Sequence, residues 1–162
     1  MTLDLAIILP TLNERDNLAP LIDRIETVLG PDGWEVIVVD DNSPDGTADE
    51  ARRLARVDRR IRVIQRIGRR GLASAAIEGF CATAAPFVAV MDADHQHDPV
   101  LLPLMLESVR KEGADVAVAS RFTLGASTAD WDNPERVRLS GFANRLPQIP
   151  SAKDALQPNA AG

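Results

Sequence analysis

Cysteine is almost absent: Cys81 is the only one in 162 residues. That excludes an internal disulfide and any multi-cysteine zinc site, and it makes a reducing compartment the default expectation. Long apolar runs are also missing. Stretches such as Ile7–Leu9 and Val36–Val39 are far too short to cross a bilayer. The first residues, Met1–Glu14, carry no basic leader before they turn polar, so no signal peptide is expected. Lysine is scarce, with Lys111 and Lys153 the two among 18 basic residues. Acidic residues outnumber basic ones by 24 to 18, a net charge of −6, which argues against nucleic acid as a partner. No Gly-x-x-x-x-Gly-Lys-Ser/Thr, Gly-x-Gly-x-x-Gly or Gly-x-Ser-x-Gly string occurs. P-loop, dinucleotide-binding and Ser/His/Asp hydrolase readings therefore find no support. His95 and His97 are the two histidines, and with no third nitrogen or sulfur ligand in view, zinc hydrolysis is disfavoured.

What is present fits one soluble globular domain with a real core. The chain is 45% hydrophobic and 26% charged. Short runs rich in strand formers alternate with segments of helical spacing. Leu5–Leu9 reads as a strand that Pro10 stops. Asn17 is placed to cap a helix with apolar residues at Leu18, Leu21, Ile22, Ile25, Val28 and Leu29. Glu35–Val39 reads as a strand buried on both faces. Further expectations are a helix over 48–57, a strand over 61–64, and a helix over 71–84 packed through Ala73, Ala75, Ala76 and Gly79. A strand over 87–91, a helix over 99–111 and a fifth strand over Asp115–Ala119 complete the series. This order predicts an α/β fold, a mostly parallel sheet with helices on both faces. Right-handed crossovers then gather all strand C-terminal ends on one edge, where such sheets bind ligands. Residues 147–162, with three prolines and no periodicity, are expected to form an irregular tail after a domain spanning 1–146.

The polar clusters that follow the strands carry the chemistry. Asp92-Ala93-Asp94 follows the fourth strand. Residues two apart on a strand point the same way, so both carboxylates can face one site. Their mutual repulsion favours a cation between them, and hard oxygen ligands suit Mg2+ or Mn2+ with phosphate completing the shell. The plainer reading is a turn whose aspartates cap the helix near Pro99. Asp41 is either an acceptor for a nucleobase or ribose, as carboxylates are in dinucleotide folds, or a cap for the helix after Thr47. Glu14 is either such an acceptor or surface charge. Pro44-Asp45-Gly46 is most simply a turn. Nine arginines crowd 52–70, from Arg52 to Arg70. The run reads as a solvated helix face, or more sharply as a surface for phosphates of a membrane or a substrate. Arg66, Arg69, Arg70 and Arg121 stand near the ligand edge and are suited to phosphate.

Five strings in register carry a family resemblance. Ile8–Glu14, Val38–Thr47, Arg69–Leu72, Met91–Pro99 and Ala119–Phe122 together resemble family 2 glycosyltransferases, most of all those that act as polyprenol-phosphate mannosyltransferases. The resemblance implies a GT-A fold and a nucleotide-sugar donor. By position it implies that Pro10, Leu12, Glu14, Val39 and Asp41 hold the nucleoside and that Asp92, Asp94 and Gln96 surround the Mg2+ or Mn2+. Ala93, Arg70 and Arg121 would lie against the donor, Arg121 at its phosphate. The implied reaction is metal-dependent transfer of mannose from GDP-mannose to a polyprenol (dolichol) phosphate, with inversion. Asp92, Asp94 and Arg121 would be its catalytic groups. The implied place is the cytoplasm, with peripheral contact at the membrane's cytoplasmic face. His95, Arg70 and Ala73 depart from the usual residues. After Leu146 the chain leaves the family's pattern, so a C-terminally truncated copy is expected. The alternatives are a non-catalytic remnant that still binds nucleotide-sugar, or a family 2 transferase for another donor such as UDP-glucose. A nucleotidyltransferase is disfavoured because Pro10–Glu14 is not a glycine-rich basic loop.

Overall fold

The computed structural model describes residues 2–111 and 114–119. The chain divides into Met1–Ala119 and Ser120–Gly162, and the described residues all lie in the first unit. Among the described residues four strands and four helices alternate: β1 (Leu5–Thr11), α1 (Arg15–Leu29), β2 (Trp34–Asp40), α2 (Thr47–Val57), β3 (Ile61–Gln65), α3 (Leu72–Cys81), β4 (Phe87–Val90) and α4 (Leu101–Lys111). The sheet order is β3-β2-β1-β4 and every pairing is parallel.

β1 and β2 are buried along their whole lengths, which explains their unbroken apolar character. Period-two alternation splits their side chains between two cores. Leu5, Ile7, Leu9, Trp34, Val36 and Val38 meet α1, α2 and α4 on one face. Ala6, Ile8, Ile37 and Val39 meet α3 on the other. Each fully buried aliphatic side chain contributes about 1.5–3 kcal/mol, so the inner strands are the anchor of the fold. α3 lies close against the sheet. It touches through Ala75 and Gly79, four residues apart on one face. A Cβ on Gly79 would stand 2.3 Å from Ile8 Cγ2. Ala73, expected in that contact, is exposed instead.

Two expectations about strands are corrected. Pro10 does not stop β1: it pairs with Val39, and the strand runs on to Thr11. The even residues of β1 face β4, as the bonds Phe87 N–H to Asp4 O and Met91 N–H to Ile8 O show. The nitrogen of Pro10 thus points to the side where β4 pairing has ended at Val90. No ladder bond is lost, so proline is tolerated there. The segment Asp115–Ala119 forms no strand. Among the described residues its alternating valines pair with no strand, and Val116 and Val118 are exposed; alternation alone does not make a strand without backbone partners. The expected boundary at 146 and the tail over 147–162 lie outside the described residues.

Candidate functional site

The loops after β1 and β2 are tied to each other. The N–H of Asn13 donates to Ser43 Oγ (2.9 Å), that of Glu14 to Thr47 Oγ1 (3.0 Å) and that of Arg15 to Asp45 Oδ2 (3.1 Å). Asp45 also accepts from the amide and hydroxyl of Thr47. Burial pushes the Asp45 carboxyl up, but these hydrogen bonds outweigh it and hold the group below its usual range. Asp40, fully buried, accepts from Ser43 N–H and Oγ and from Thr11 Oγ1. Pro44-Asp45-Gly46 is therefore more than a turn. It is the brace that fixes the loop carrying Leu12 and Glu14. α1 starts at Arg15 with Glu14 as its cap residue, three residues before the cap expected at Asn17. Asn17 Nδ2 instead donates to Glu14 Oε2 (2.5 Å).

Asp41, the residue after β2, is buried, 7% exposed. Its Oδ1 accepts from Arg66 Nη1 (2.5 Å) and its Oδ2 from Gly71 N–H (2.7 Å). It does not cap α2, whose first amides belong to Asp45 and Gly46. Arg66 is 1% exposed and also reaches Gly71 O, Ser74 Oγ and Glu78 Oε1. The expectation that Arg66 faces phosphate is thus corrected: its guanidinium is consumed inside the protein. Glu78 is held between Arg69, which forks onto both its oxygens, and Arg66. These cations bring its carboxyl down to about 2.

The arginine-rich run is mostly ion-paired. Arg52, Arg53, Arg60, Arg62, Arg66 and Arg69 each meet an acidic side chain. Arg60 also lies over the Trp34 ring at 4.1 Å. A continuous phosphate-binding face is therefore not what this run forms. Arg70 is exposed at the ligand edge and forms no ion pair among the described residues.

Strand pairing of β4 stops at Val90, so Asp92 and Asp94 stand on the loop after it rather than on the strand. The in-and-out alternation nevertheless continues. Met91 and Ala93 are buried in the core, Asp92 is 48% exposed along its side chain, and Asp94 is exposed. Both carboxylates accordingly stand outside the core. Pairing of β4 with β1 ends at Ile8–Val90, so Asp92 stands two residues beyond the last paired position. Asp94 Oδ1 accepts from Gln96 N–H (3.0 Å). His97 is the support beneath Asp92. Its Nδ1 accepts the Asp92 N–H (3.1 Å), and its Nε2 lies 3.9 Å from Asp92 Oδ2. His95 takes a left-handed conformation, φ 62°.

The donor set here is carboxylate oxygen, which suits Mg2+ or Mn2+. No group of three or more His, Cys, Asp and Glu gathers among the described residues. Two outward carboxylates with the rest of the shell left to water and phosphate is a common way to bind Mg2+, so the residues fit such an ion. Pro10, Val39 and Ala93 are buried; what they can offer a ligand is backbone. Leu12 is exposed and Glu14 half-buried. Arg121 lies outside the described residues.

The model of the glycosyl transferase family 2 matches residues 6–161. The chain is 40% identical over 153 residues to a dolichol-phosphate mannosyltransferase of Pyrococcus furiosus, covering 92% of this chain and 43% of that protein. A dolichol-phosphate mannosyltransferase of Saccharomyces cerevisiae is 34% identical, with 85% and 52% covered. The chain thus spans about half the length of these curated relatives. Among solved structures, the mannosyltransferase PcManGT of Pyrobaculum calidifontis, in complex with GDP-Man and Mn2+, superposes with a TM-score of 0.51 at 31% identity, over 58% of this chain and 28% of that one. A mannosyl-3-phosphoglycerate synthase of Rubrobacter xylanophilus shares the fold, with a TM-score of 0.56 at 24% identity over 67% of this chain and 36% of that one. With its parallel sheet, its acidic pair past β4 and this match across most of its length, the chain belongs to glycosyltransferase family 2 and has the GT-A fold.

Proposed function

We propose that this chain binds GDP-mannose along the strand-end edge and serves transfer of the mannose to a polyprenol phosphate, with inversion at the sugar carbon. The observation that carries the reading is the outward pair Asp92 and Asp94 beside the braced β1 loop. The names of the curated relatives support mannose and a dolichol-type acceptor, and the GDP-Man and Mn2+ of PcManGT support the donor and the ion.

Glu14, Leu12 and Asp41, with the backbone of Pro10 and Val39, would hold the nucleoside. Arg70 stands free to meet the diphosphate, and Arg121 is assigned the same task. Asp92 and Asp94, with Gln96 beside them, would hold Mg2+ or Mn2+. That ion, when bound, offsets the charge developing on the departing nucleoside diphosphate. An acceptor phosphate oxygen forms the new bond to the sugar carbon while the bond to the donor diphosphate breaks on the opposite side, and GDP leaves with the electron pair. The acceptor phosphate is already ionised near neutral pH, so no strong general base is needed. A lipid-borne acceptor implies peripheral contact with a membrane at its cytoplasmic face. Among the described residues no helix is long and apolar enough to cross one.

Titration calorimetry with GDP-mannose and Mn2+ tests the reading. Binding is expected for the native chain, weaker binding for UDP-glucose, and none for Asp92→Ala or Asp94→Ala. Binding that survives in both variants removes the assignment.

A further inference from the structure

We infer that Arg66 is a positioning residue for nucleoside recognition: from inside the fold it aims the Asp41 carboxylate at the donor, without touching the donor itself. The inference rests on the donor-binding reading above and specifies how one part of that site is built.

An arginine 1% exposed is unusual; charged side chains are almost never fully buried unless paired. Arg66 leaves β3 at the ligand edge, where its N–H also donates to Asp40 O (2.8 Å). Its guanidinium then spreads over three neighbours in α3 and its entry turn, Gly71 O, Ser74 Oγ and Glu78 Oε1 (3.1, 2.6 and 3.1 Å), and over Asp41 Oδ1 (2.5 Å). Ser74 closes the ring by donating to Gly71 O (2.9 Å). Gly71 itself, at φ +133°, donates to the second oxygen of Asp41 (2.7 Å). Each Asp41 oxygen is thereby given one internal donor and one fixed direction. An ionised carboxylate accepts about four hydrogen bonds, so two lone-pair sites remain, oriented away from Arg66 and Gly71. A nucleobase or ribose offering N–H or O–H donors matches them; a phosphate, which only accepts when ionised, does not.

The location also speaks for this use. A buried ion pair is weak support for stability, and apolar replacements are often neutral or better. This one sits at the strand-end edge beside Asp41 and not in either apolar core. A planar guanidinium whose three nitrogens are each engaged holds geometry in a way a lysine cannot. The expected phenotype is therefore loss of nucleoside affinity with phosphate affinity kept.

The test uses the whole chain, with Arg66→Lys, Asp41→Asn, the double variant and Ser74→Ala. Calorimetry is run with Mn2+ plus GDP and, separately, with Mn2+ plus inorganic pyrophosphate, and thermal unfolding is recorded on each sample. Arg66→Lys should weaken GDP about tenfold, the weight of one charge-assisted hydrogen bond, and leave pyrophosphate binding unchanged. Asp41→Asn should do likewise, and the double variant should bind GDP no more weakly than Asp41→Asn alone, since the two act as a unit. If Arg66→Lys does not fold, Ser74→Ala, which removes the partner of Nη2 and the bond to Gly71 O but leaves Arg66 and Asp41 in place, should show the same selective loss in smaller degree. Equal loss of GDP and pyrophosphate, or additive losses in the double variant, overturns the inference. So does native GDP affinity in Arg66→Lys while Asp41→Asn is impaired. A native chain that binds neither probe brings down the donor-binding reading as well, which separates the two failures.

Discussion

Gly79→Ala should destabilise the protein although alanine is the better helix former. Placing alanine in a helix in place of glycine gains about 1 kcal/mol. The new methyl, however, would lie 2.3 Å from Ile8 Cγ2 and 3.1 Å from both Cγ1 and Cδ1. Ile8 is fully buried in β1, the strand held between β2 and β4. Its β-branched side chain is stiff at χ1 and has no free rotamer to retreat to. α3 must therefore lift off the sheet. Overpacking of this kind costs about 1–3 kcal/mol, and so close an approach belongs at the upper end. The net loss is about 1–2 kcal/mol, or a Tm lower by about 3–8 °C for a unit of this size. Lifting α3 also displaces Ser74 and Glu78, the partners of Arg66, so nucleoside affinity should fall as well. Urea and thermal unfolding measure the first effect. Ile8→Ala provides the control, because it removes all three crowded atoms. Alone it opens a cavity and costs about 2–5 kcal/mol; combined with Gly79→Ala the two should cost less than their separate losses together. A Gly79→Ala chain as stable as the native one, or strict additivity in the pair, would refute the packing argument.

Two further outcomes are expected. The Glu78 carboxyl is brought down to about 2, first by the Arg69 hydrogen bonds and then by those of Arg66, and Asp58 is lowered by Arg60. The unfolded chain therefore binds more protons than the folded one below the ordinary carboxylate range. This contribution to stability is complete above about pH 4.5 and is lost as pH falls from there toward 2. Tm against pH should bend downward in that window, and Glu78→Gln should flatten the bend; an unaltered slope would argue against the pairing. Asp45→Ala removes the acceptor for Thr47 and Arg15 amides and should cost about 1 kcal/mol. Because it frees the loop bearing Leu12 and Glu14, it should also weaken GDP binding in calorimetry, and loss of stability without loss of binding would dissociate the brace from the site.

The order of strands and helices, the buried inner strands and the ligand edge were legible in periodicity, because each element's pattern reflects burial on one or both faces of a sheet. What the pattern did not carry was the partner of each polar group. Arg66 looked like any other member of an arginine run, since solvated and buried arginines have the same letter; its neighbours Asp41, Gly71 and Glu78 come together only through the crossover from β3 to α3. Asp45 read as a turn residue because turn residues and caps share a composition. Pro10 was misjudged because its acceptability depends on which side of β1 lacks a neighbour, a fact of strand order. The Asp92 and Asp94 pair lies just beyond β4, as its place after the fourth apolar run indicates, and both carboxylates stay outside the core because Met91 and Ala93 still enter it. His97 could have been noticed five residues after Asp92, but nothing in the string distinguishes a backbone acceptor from a metal ligand.

The order β3-β2-β1-β4 has a consequence for synthesis. β1, made before either of its sheet neighbours, becomes an interior strand, and its second flank is supplied only when Phe87–Val90 has emerged. Until then Ile8 and its neighbours have one bare edge, a state open to wrong pairing with another nascent chain. A ribosome pausing within α3 would prolong that exposure, whereas one pausing after β4 would find the inner strands already closed.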